Sequence, residues 1–310
     1  MKTVDVLVIG RSCVDHIALV DQFPAENQKV PLKFRLIEGG GQGGTASCCI
    51  SNLGGHVAYV GKLGDDEEGR FCLKRLKDFG VATEYIEIVN NGKTPVAYAF
   101  VNTATGERTI FYEPNELPKI KLDQTMQNLF TKSGVILLDP EVTYLGHKLK
   151  RLAPSNAKIV YDGERWRDGI KDIMDTADYF IPSSDFLDAG ELNFGDIPLD
   201  QKISQLNKRV YGRLIVTCGQ DGAYYVLEDT LYHVPALGIK AVDTIGAGDN
   251  FHAAFALALA KGFDLQQCVK FSVSVASLSC RKYGGRNGIP NINEALEFAN
   301  KLVAKVIATV

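Results

Sequence analysis

Short apolar runs rich in β-branched residues alternate with segments of helical periodicity along most of the chain. Short apolar strands that alternate with helices are typical of a mostly parallel sheet covered by helices on both faces, so the pattern predicts an α/β fold. The predicted strands are 4–9, 57–60, 135–138, 159–161, 179–181 and 214–217, and the clearest predicted helices are 45–53, about 67–79 and 122–130.

Two regions break this alternation. Residues 14–22 and 30–38 have the pattern of strands with no helix between them, and residues 95–102 and 108–112 form a predicted hairpin through 103–107. These four extended segments predict a small β-sheet that stands off the main domain. Such a sheet can cover a site as a lid, or its edge can pair with a second copy in a dimer, and the pattern does not separate these two uses.

The composition is that of an ordinary globular protein and argues against several kinds of partner. The 310 residues suit one large α/β domain or two smaller ones, and because no linker, repeat or charge block divides the chain we expect a single domain over 1–310. With 34 basic and 37 acidic side chains, there is no basic surplus for binding nucleic acid. No apolar run approaches the roughly 20 residues that span a bilayer, so we expect no membrane partner.

The cysteines and the N-terminus predict a cytoplasmic location. The seven cysteines are scattered and none forms a C-x-x-C pair, so neither a disulfide framework nor a zinc site is indicated. Residues 1–6 lead directly into a strand and lack the apolar core and cleavage site of a signal peptide.

The 30 glycines are unevenly placed. Five of the six residues from 39 to 44 are glycine, and a second group comprises Gly246, Gly248, Gly284 and Gly285. Glycine concentrated in this way indicates positions where the backbone approaches another group closely.

The second group belongs to the strongest local signal, residues 243–249, Asp-Thr-Ile-Gly-Ala-Gly-Asp. Apolar residues at 251, 254, 255, 258 and 259 predict a helix directly after it. Free backbone N–H groups at that helix N-terminus favour an anion, and Asp249 can accept a proton from a neighbouring hydroxyl, which suits phosphoryl transfer. The alternative is a plain tight turn in which Asp249 caps the helix.

The first group, residues 39–44, precedes the predicted helix at 45–53 and is a second candidate site. Its backbone can approach a polar ligand, and Gln42 or Thr45 can hydrogen-bond hydroxyl groups. A dinucleotide-binding fold does not fit, because no G-x-G-x-x-G follows the first strand, and no Walker-type phosphate loop occurs anywhere in the chain.

Over nearly its whole length the chain resembles the ribokinase-like (PfkB) sugar kinases. Residues 243–249 are similar to the C-terminal signature of that family, and residues 40–46 (Gly-Gly-Gln-Gly-Gly-Thr-Ala) to its N-terminal signature, with glutamine and threonine where the family often has asparagine. Residues 61–69 and 216–223 are similar to further family segments. The resemblance implies a three-layer α/β/α sandwich with a mostly parallel central sheet and a small β-sheet lid, formed by about 12–38 and 94–113.

The resemblance also implies roles for individual residues. Asp249 would be the base that deprotonates a sugar hydroxyl, and the turn at Gly246, Ala247 and Gly248 would form the anion hole for the γ-phosphate. Substrate-binding roles fall on the first lid strand, the glycine run and the lid hairpin, at Asp15, Gly40, Gly41, Gln42, Thr45 and Arg108.

The family further implies ATP and Mg²⁺, with K⁺ as a candidate. The nucleotide-binding residues would be Thr217, Gly219, Gly222, Gly248 and Gly285, and Asp243 would lie at a monovalent cation site. The N-x-x-E motif that the family links to its metal is replaced near residue 183 by Pro-Ser-Ser-Asp-Phe, as in the ketohexokinase-like branch, so the resemblance implies Mg²⁺ held largely by ATP phosphates and water.

The predicted substrate is a small sugar, with a neutral ketose preferred. Residues 246–259 and 284–290 are most similar to sulfofructose kinases, but 139–141 (Asp-Pro-Glu) are acidic where a sulfonate calls for arginine. The alternatives are a sulfofructose or ketose-phosphate kinase, a nucleoside kinase with Phe23 or Phe34 as stacking partner, and a non-catalytic sugar-binding regulator. We also expect a homodimer formed through the lid.

Overall fold

A computed structural model describes residues 4–104, 108–152 and 156–310, so residues 105–107 of the predicted hairpin turn at 103–107 lie outside these ranges. Ten strands of the described chain form one large sheet. In spatial order they are β14 (Lys305–Thr309), β13 (Thr230–Val234), β12 (Ala223–Leu227), β11 (Arg213–Thr217), β10 (Tyr179–Pro182), β9 (Lys158–Gly163), β8 (Ser133–Leu138), β1 (Val4–Ile9), β4 (Val57–Gly64) and β5 (Ile86–Val89).

Seven of these strands, from β11 to β5 in that order, are parallel, and β12, β13 and β14 continue the sheet antiparallel. This arrangement confirms the predicted mostly parallel sheet. The antiparallel extension, including the C-terminal strand, was not predicted.

Helices cover both faces of the large sheet. Strand β1 shows why its apolar run is continuous: Val6 and Val8 belong to one buried cluster, and Leu7 and Ile9 to the cluster on the opposite face. The first cluster includes residues of α1 (Gln42–Asn52), α2 (Glu67–Asp78), α7 (Ala247–Ala260), α8 (Leu265–Ser279) and α9 (Ile292–Lys301), and the second includes residues of α3 (Gln124–Phe130), α4 (Gly146–Leu152), α5 (Ile170–Met174) and α6 (Leu199–Asn207). No helix in these described ranges has the length and apolar character that a membrane span requires.

A smaller four-stranded sheet lies beside the large one, in the order β3 (Phe34–Gly40), β2 (Cys13–Val20), β6 (Val96–Asn102), β7 (Arg108–Tyr112). Ile17, Leu19 and Val101 on its inner face are buried in a cluster that includes Tyr283 of the main body. The small sheet occupies the segments predicted for it, although its first two strands are shorter than expected.

The predicted start of α1 needs a correction that bears on the site. The helix begins at Gln42, not at residue 45. Gly41 precedes it with φ of +81°, a left-handed conformation that favours glycine, so the glycine run ends a strand, makes the turn and opens a helix.

Candidate active site

The N-terminus of α7 forms an open turn. Gly246 precedes the helix with φ of +73°, and no side chain caps the first turn, so Asp249 within that turn is not the helix cap. The first N–H groups of a helix lack intrahelical acceptors and point outward with the positive end of the helix dipole. A Cβ atom added to Gly248 would have no neighbouring atom within 4 Å among the described residues. The turn is therefore open to an anionic ligand.

The structure brings the two glycine groups together. A Cβ atom on Gly246 would lie 2.7 Å from the Cα of Gly285 and 3.3 Å from the Cγ2 of Thr45. The side-chain amide of Asn250 donates a hydrogen bond of 2.8 Å to the carbonyl of Gly285. Residues 246–248, the loop at 284–285 and the first turn of α1 thus form one continuous surface.

The glycine run lies directly above a half-buried carboxylate. The carboxylate of Asp15, on β2, fills the space that a Cβ atom on Gly40 would need. Gly41 packs against the backbone of residues 11 and 12, and the Oε1 of Gln42 accepts a hydrogen bond of 3.0 Å from Arg11. Burial raises the pKa of Asp15, and the Cys13 thiol, which donates to it at 3.3 Å, works against that shift.

Asp249 has the electrostatic surroundings of a general base. Its pKa is raised to about 7, chiefly by burial and in part by the nearby carboxylates Asp162 and Asp15, while His252 opposes the shift. A carboxylate with a pKa near the working pH is present in its basic form and still accepts a proton readily.

His252 lies one turn of α7 beyond Asp249 and joins the helix to the sheet. Its Nδ1 is 2.6 Å from the carbonyl oxygen of Gly248, and its Nε2 is 2.9 Å from that of Ile181 on β10. The same Nε2 lies 3.6 Å from Oδ1 of Asp162, at the carboxyl end of β9. Burial lowers the pKa of His252 and raises that of Asp162 well above the usual carboxyl value. The ring therefore fixes the turn over the carboxyl ends of the parallel strands.

Comparison with known proteins identifies the family. The chain matches the model of the pfkB family carbohydrate kinases over residues 4–292. The chain belongs to this family. It is 27% identical over 298 residues to the ribokinase of Bacillus subtilis (94% of this chain, 98% of that protein) and 29% identical over 288 residues to fructokinase-2 of Oryza sativa (84% and 85%). The structure of Arabidopsis thaliana ribokinase complexed with ribose and ATP superposes with a TM-score of 0.80 at 22% identity, covering 96% of this chain and 99% of that one.

The match confirms the resemblance to the PfkB family, and the protein is an ATP-dependent carbohydrate kinase. Similarity to the sulfofructose branch is not among these findings. The fold places the open turn of α7 and the glycine run above the carboxyl ends of the parallel strands, where open α/β sheets bind their ligands.

Three of the five predicted nucleotide-binding residues, Thr217, Gly219 and Gly222, lie at or just after the end of β11 in this kinase. The hydroxyl of Thr217 is 3.5 Å from the carbonyl oxygen of Pro182, on the strand that also contacts His252. Gly219 has φ of +52° and Gly222 has φ of +92°, both left-handed, and a Cβ atom on Gly219 would meet no described atom within 4 Å. The turn after β11 is thus open, next to the strand that contacts α7.

Two further predicted residues lie at the loop of residues 243–248, which the sequence predicts to bind an anion and which we call the anion loop. Both carboxylate oxygens of Asp243 accept backbone hydrogen bonds of 2.9 Å, one from Ile245 and one from Gly284, so Asp243 joins the two loops. Arg108, on β7 of the small sheet, reaches across to donate a hydrogen bond of 2.5 Å to the hydroxyl of Thr244. This contact places Arg108 beside the anion loop rather than over the glycine run.

One residue of this site that was not predicted from the sequence is Arg286. Its side chain is 1% exposed and lies behind the glycine run, where it donates a hydrogen bond of 2.8 Å to the carbonyl of Gly40 and lies 3.5 Å from the hydroxyl of Thr45. Glu38, also buried, pairs instead with Arg75 through two hydrogen bonds of 2.6 Å. The only sequence signal was an arginine placed directly after Gly284-Gly285.

Asp162 and His252 were not predicted as site residues from the sequence either. His252 is buried and packs against Asp162, a carboxylate that raises the pKa of Asp249. The available signal was an acidic residue at the end of an apolar strand, a position that faces the ligand side of a parallel sheet.

Proposed function

We propose that this carbohydrate kinase transfers the γ-phosphate of ATP to a primary hydroxyl of a small sugar, a ketose, with Asp249 as the general base. The observation that supports this most is the position of a carboxylate of pKa about 7 in the first turn of a helix whose N-terminus is open. An anion cradle and a base within one turn serve the two needs of phosphoryl transfer.

In the proposed mechanism Asp249 takes the proton from the attacking sugar hydroxyl. The backbone N–H groups of Gly246, Ala247 and Gly248 stabilise the negative charge on the transferring group, helped by the dipole of α7. His252 holds the turn in place through the carbonyl of Gly248. The negative charge of Asp162, close to Asp249, helps to keep the pKa of the base high.

We propose that the sugar binds over the glycine run. Asp15, Gln42 and Thr45 would accept and donate hydrogen bonds to its hydroxyl groups, and Gly40 and Gly41 allow it to approach the backbone. The similarity to a fructokinase supports a ketose, and the similarity to ribokinases keeps small aldoses in the test panel.

The nucleotide would lie between the end of β11 and the anion loop. Thr217, Gly219 and Gly222 would line it, with Gly248 and Gly285 at its phosphate end. Arg108 lies beside the anion loop through Thr244, which supports a role toward the phosphates.

Mg²⁺ fits this site as the companion of ATP. Among the residues that the structure describes, no group of three or more His, Cys, Asp or Glu side chains forms a metal site, whereas ATP phosphates supply hard oxygen ligands. Bound Mg²⁺ neutralises phosphate charge. We further propose that K⁺ binds near Asp243, whose oxygens keep free lone pairs; replacement of K⁺ by choline in the assay should then lower activity.

The small sheet would act as a lid over the sugar and as the surface of a homodimer. Its outer face exposes Ile37, Tyr98 and Phe111, an apolar patch that supports association with a second copy. All seven cysteines are free thiols, which supports the cytoplasmic location we propose.

ADP release with a panel of ketoses, aldoses and nucleosides tests the proposed function. Asp249→Asn should lower kcat by about 10³-fold while sugar affinity changes only a few-fold. Full activity of this variant would overturn the role of Asp249. Turnover of nucleosides alone would identify a nucleoside kinase, and sugar binding without any turnover would identify a regulator.

A further inference from the structure

The segment that carries Arg286 connects the anion loop to the glycine run. A Cβ atom on Gly246 would lie 2.7 Å from the Cα of Gly285, and the carbonyl of Gly285 accepts a hydrogen bond of 2.8 Å from Asn250 on α7. The next residue, Arg286, extends behind the glycine run and donates a hydrogen bond of 2.8 Å to the carbonyl of Gly40. Arg286 therefore has its backbone beside the anion loop and its guanidinium behind the proposed sugar site.

Arg286 and Asp15 contact two consecutive glycines at the end of β3. A Cβ atom on Gly39 would overlap the Nη1 of Arg286, and a Cβ atom on Gly40 would overlap the carboxylate of Asp15. Because successive Cβ atoms of a strand point to opposite faces, the guanidinium and the carboxylate lie on opposite faces of the strand end. The two glycines thus let a cation and a carboxylate approach the same short stretch of backbone.

The positive charge of Arg286 is buried with neutral hydrogen-bond partners. Arg286 is 1% exposed, and its Nη1 has no hydrogen-bond partner among the residues that the structure describes. Its Nη2 donates to the carbonyl of Gly40, and its Nε lies 3.5 Å from the hydroxyl of Thr45. A buried charge of this kind acts strongly on carboxylates in its surroundings, because little water screens it.

Two carboxylates lie within reach of that charge, Glu38 and Asp15. Glu38 is already engaged, because its two oxygens accept hydrogen bonds of 2.6 Å from Arg75. Asp15 forms no such ion pair within the described ranges, and its side chain accepts a hydrogen bond of 3.3 Å from the Cys13 thiol. Asp15 is therefore the carboxylate whose charge Arg286 is left to balance.

The titratable and charged groups around Asp15 come from several elements packed against it. They are Cys13 on the same strand, Arg11 before that strand, Glu38 on β3, Cys72 on α2, Asp249 on α7, and Arg286. Burial raises the pKa of Asp15, and Glu38 adds to that shift. The hydrogen bond from Cys13 lowers it, as do the charges of Arg286 and, to a smaller extent, Arg11. Of the two cations, Arg286 thus has the larger effect in favour of the carboxylate form.

We propose that Arg286 is a positioning residue of the sugar site: it holds the end of β3 from behind, and its charge keeps Asp15 a carboxylate that accepts hydrogen bonds from sugar hydroxyls. A carboxylate offers two acceptor oxygens and forms stronger hydrogen bonds than the neutral acid. Because Arg286 is buried behind the strand end, it acts through Gly40 and Asp15 and does not touch the sugar. The inference rests on the proposed function, in which the sugar binds over the glycine run.

Two variants of Arg286 that differ in charge test this inference. Arg286→Lys keeps the cation and Arg286→Gln removes it, and both are made together with Asp249→Asn so that Asp249 no longer titrates. Calorimetry measures the affinity of each protein for fructose and for ribose. The two variants should bind sugar alike at about pH 8, whereas at about pH 5.5 Arg286→Gln should bind about three-fold or more weaker, because without the cation Asp15 takes up a proton at higher pH.

A measurement without sugar separates this inference from the proposed function. The ¹³C signal of the Asp15 carboxyl, assigned by its absence in Asp15→Asn, follows the ionisation of this group directly. Its titration midpoint should be higher in Arg286→Gln than in Arg286→Lys by about 0.5 pH unit or more. Equal midpoints would overturn the inference even in an active sugar kinase. Absence of turnover with every sugar would overturn the proposed function, and the midpoints would still decide the role of Arg286.

Controls distinguish the charge of Arg286 from a general loss of structure. A purely structural role would weaken sugar binding by the same factor at every pH, and that result would contradict the inference. Arg286→Gln added to Asp15→Asn should produce no further pH dependence of binding. Arg281→Gln, which removes a partly exposed cation that pairs with Glu294, should leave the pH dependence of the parent protein unchanged.

Arg286→Lys also tests the charge on its own if Arg286→Gln does not fold. Its Asp15 midpoint should agree with that of the protein with arginine to within about 0.3 pH unit, since the cation is kept. A midpoint about 0.5 pH unit or more above it, despite the retained cation, would overturn the role assigned to the charge.

Discussion

The two glycine groups use the missing Cβ atom in opposite ways. At Gly248 an added Cβ would meet no described atom within 4 Å, so the small residue leaves the helix N-terminus open to a ligand. At Gly39 and Gly40 an added Cβ would overlap Arg286 and Asp15, so the glycines admit charged side chains from behind. The first group leaves a space for the proposed anion, and the second lets charged side chains approach the backbone beneath the proposed sugar site.

The largest expected effect is a loss of stability when Arg286, the cation behind the glycine run, is replaced. Arg286→Met removes a fully buried cation beside Asp15 and Glu38, and it leaves the carbonyl of Gly40 without its hydrogen bond. We therefore expect a loss of about 3–5 kcal/mol in the free energy of unfolding. Urea unfolding measures this loss. Arg281→Met is the matched control, because Arg281 is partly exposed and forms a surface ion pair with Glu294. The free energy of unfolding of this variant should fall by less than about 1 kcal/mol. Equal effects of the two variants would contradict a buried structural role for Arg286.

Alanine substitutions in the two glycine groups should have smaller effects, one on stability and the other on activity. Gly40→Ala places a Cβ on the Asp15 carboxylate and should cost about 1–3 kcal/mol, as overpacking does in a dense interior. Gly248→Ala should leave stability unchanged and lower kcat about 100-fold, because the methyl group enters the space left open for the phosphate. Thermal unfolding and ADP release check both variants. If Gly248→Ala kept full activity, the open turn would not be the anion hole.

The local features of this site were predictable from the sequence, and the distant pairs were not. Gly246 and Asp249 fall within four residues of each other, so their spacing directly indicated a helix N-terminus with a carboxylate. Asp162 and His252 are 90 positions apart, and Arg286 meets Gly40 across 246 positions. Such contacts depend on strand order and loop path, which periodicity does not encode.

The same distinction holds for the fold. The parallel strands were predictable because their apolar runs are buried on both faces. The C-terminal strand β14 has mostly exposed residues, among them Val306 and Ile307, so its sequence lacks the pattern of a buried strand.

A still smaller effect should appear in the pH dependence of stability. Because the pKa of Asp249 is raised from 3.8 to about 7 on folding, the folded protein favours the protonated acid, and stability is lost as pH rises from about 4 to about 7. Asp249→Asn removes this loss. The variant should therefore have a higher Tm than the wild type, with a larger difference at pH 8 than at pH 5. A difference in Tm that stays constant with pH would contradict the raised pKa.

The pH profile of kcat/KM for sugar phosphorylation tests the central claim, that Asp249 acts as a base tuned by its neighbours. The wild type should lose activity below about pH 7 as Asp249 becomes protonated. Asp162→Asn removes a neighbouring negative charge that raises the pKa of Asp249, so the acidic limb of its profile should move to lower pH. The same acidic limb in both proteins, or a flat profile between pH 5.5 and 8 in the wild type, would contradict the account.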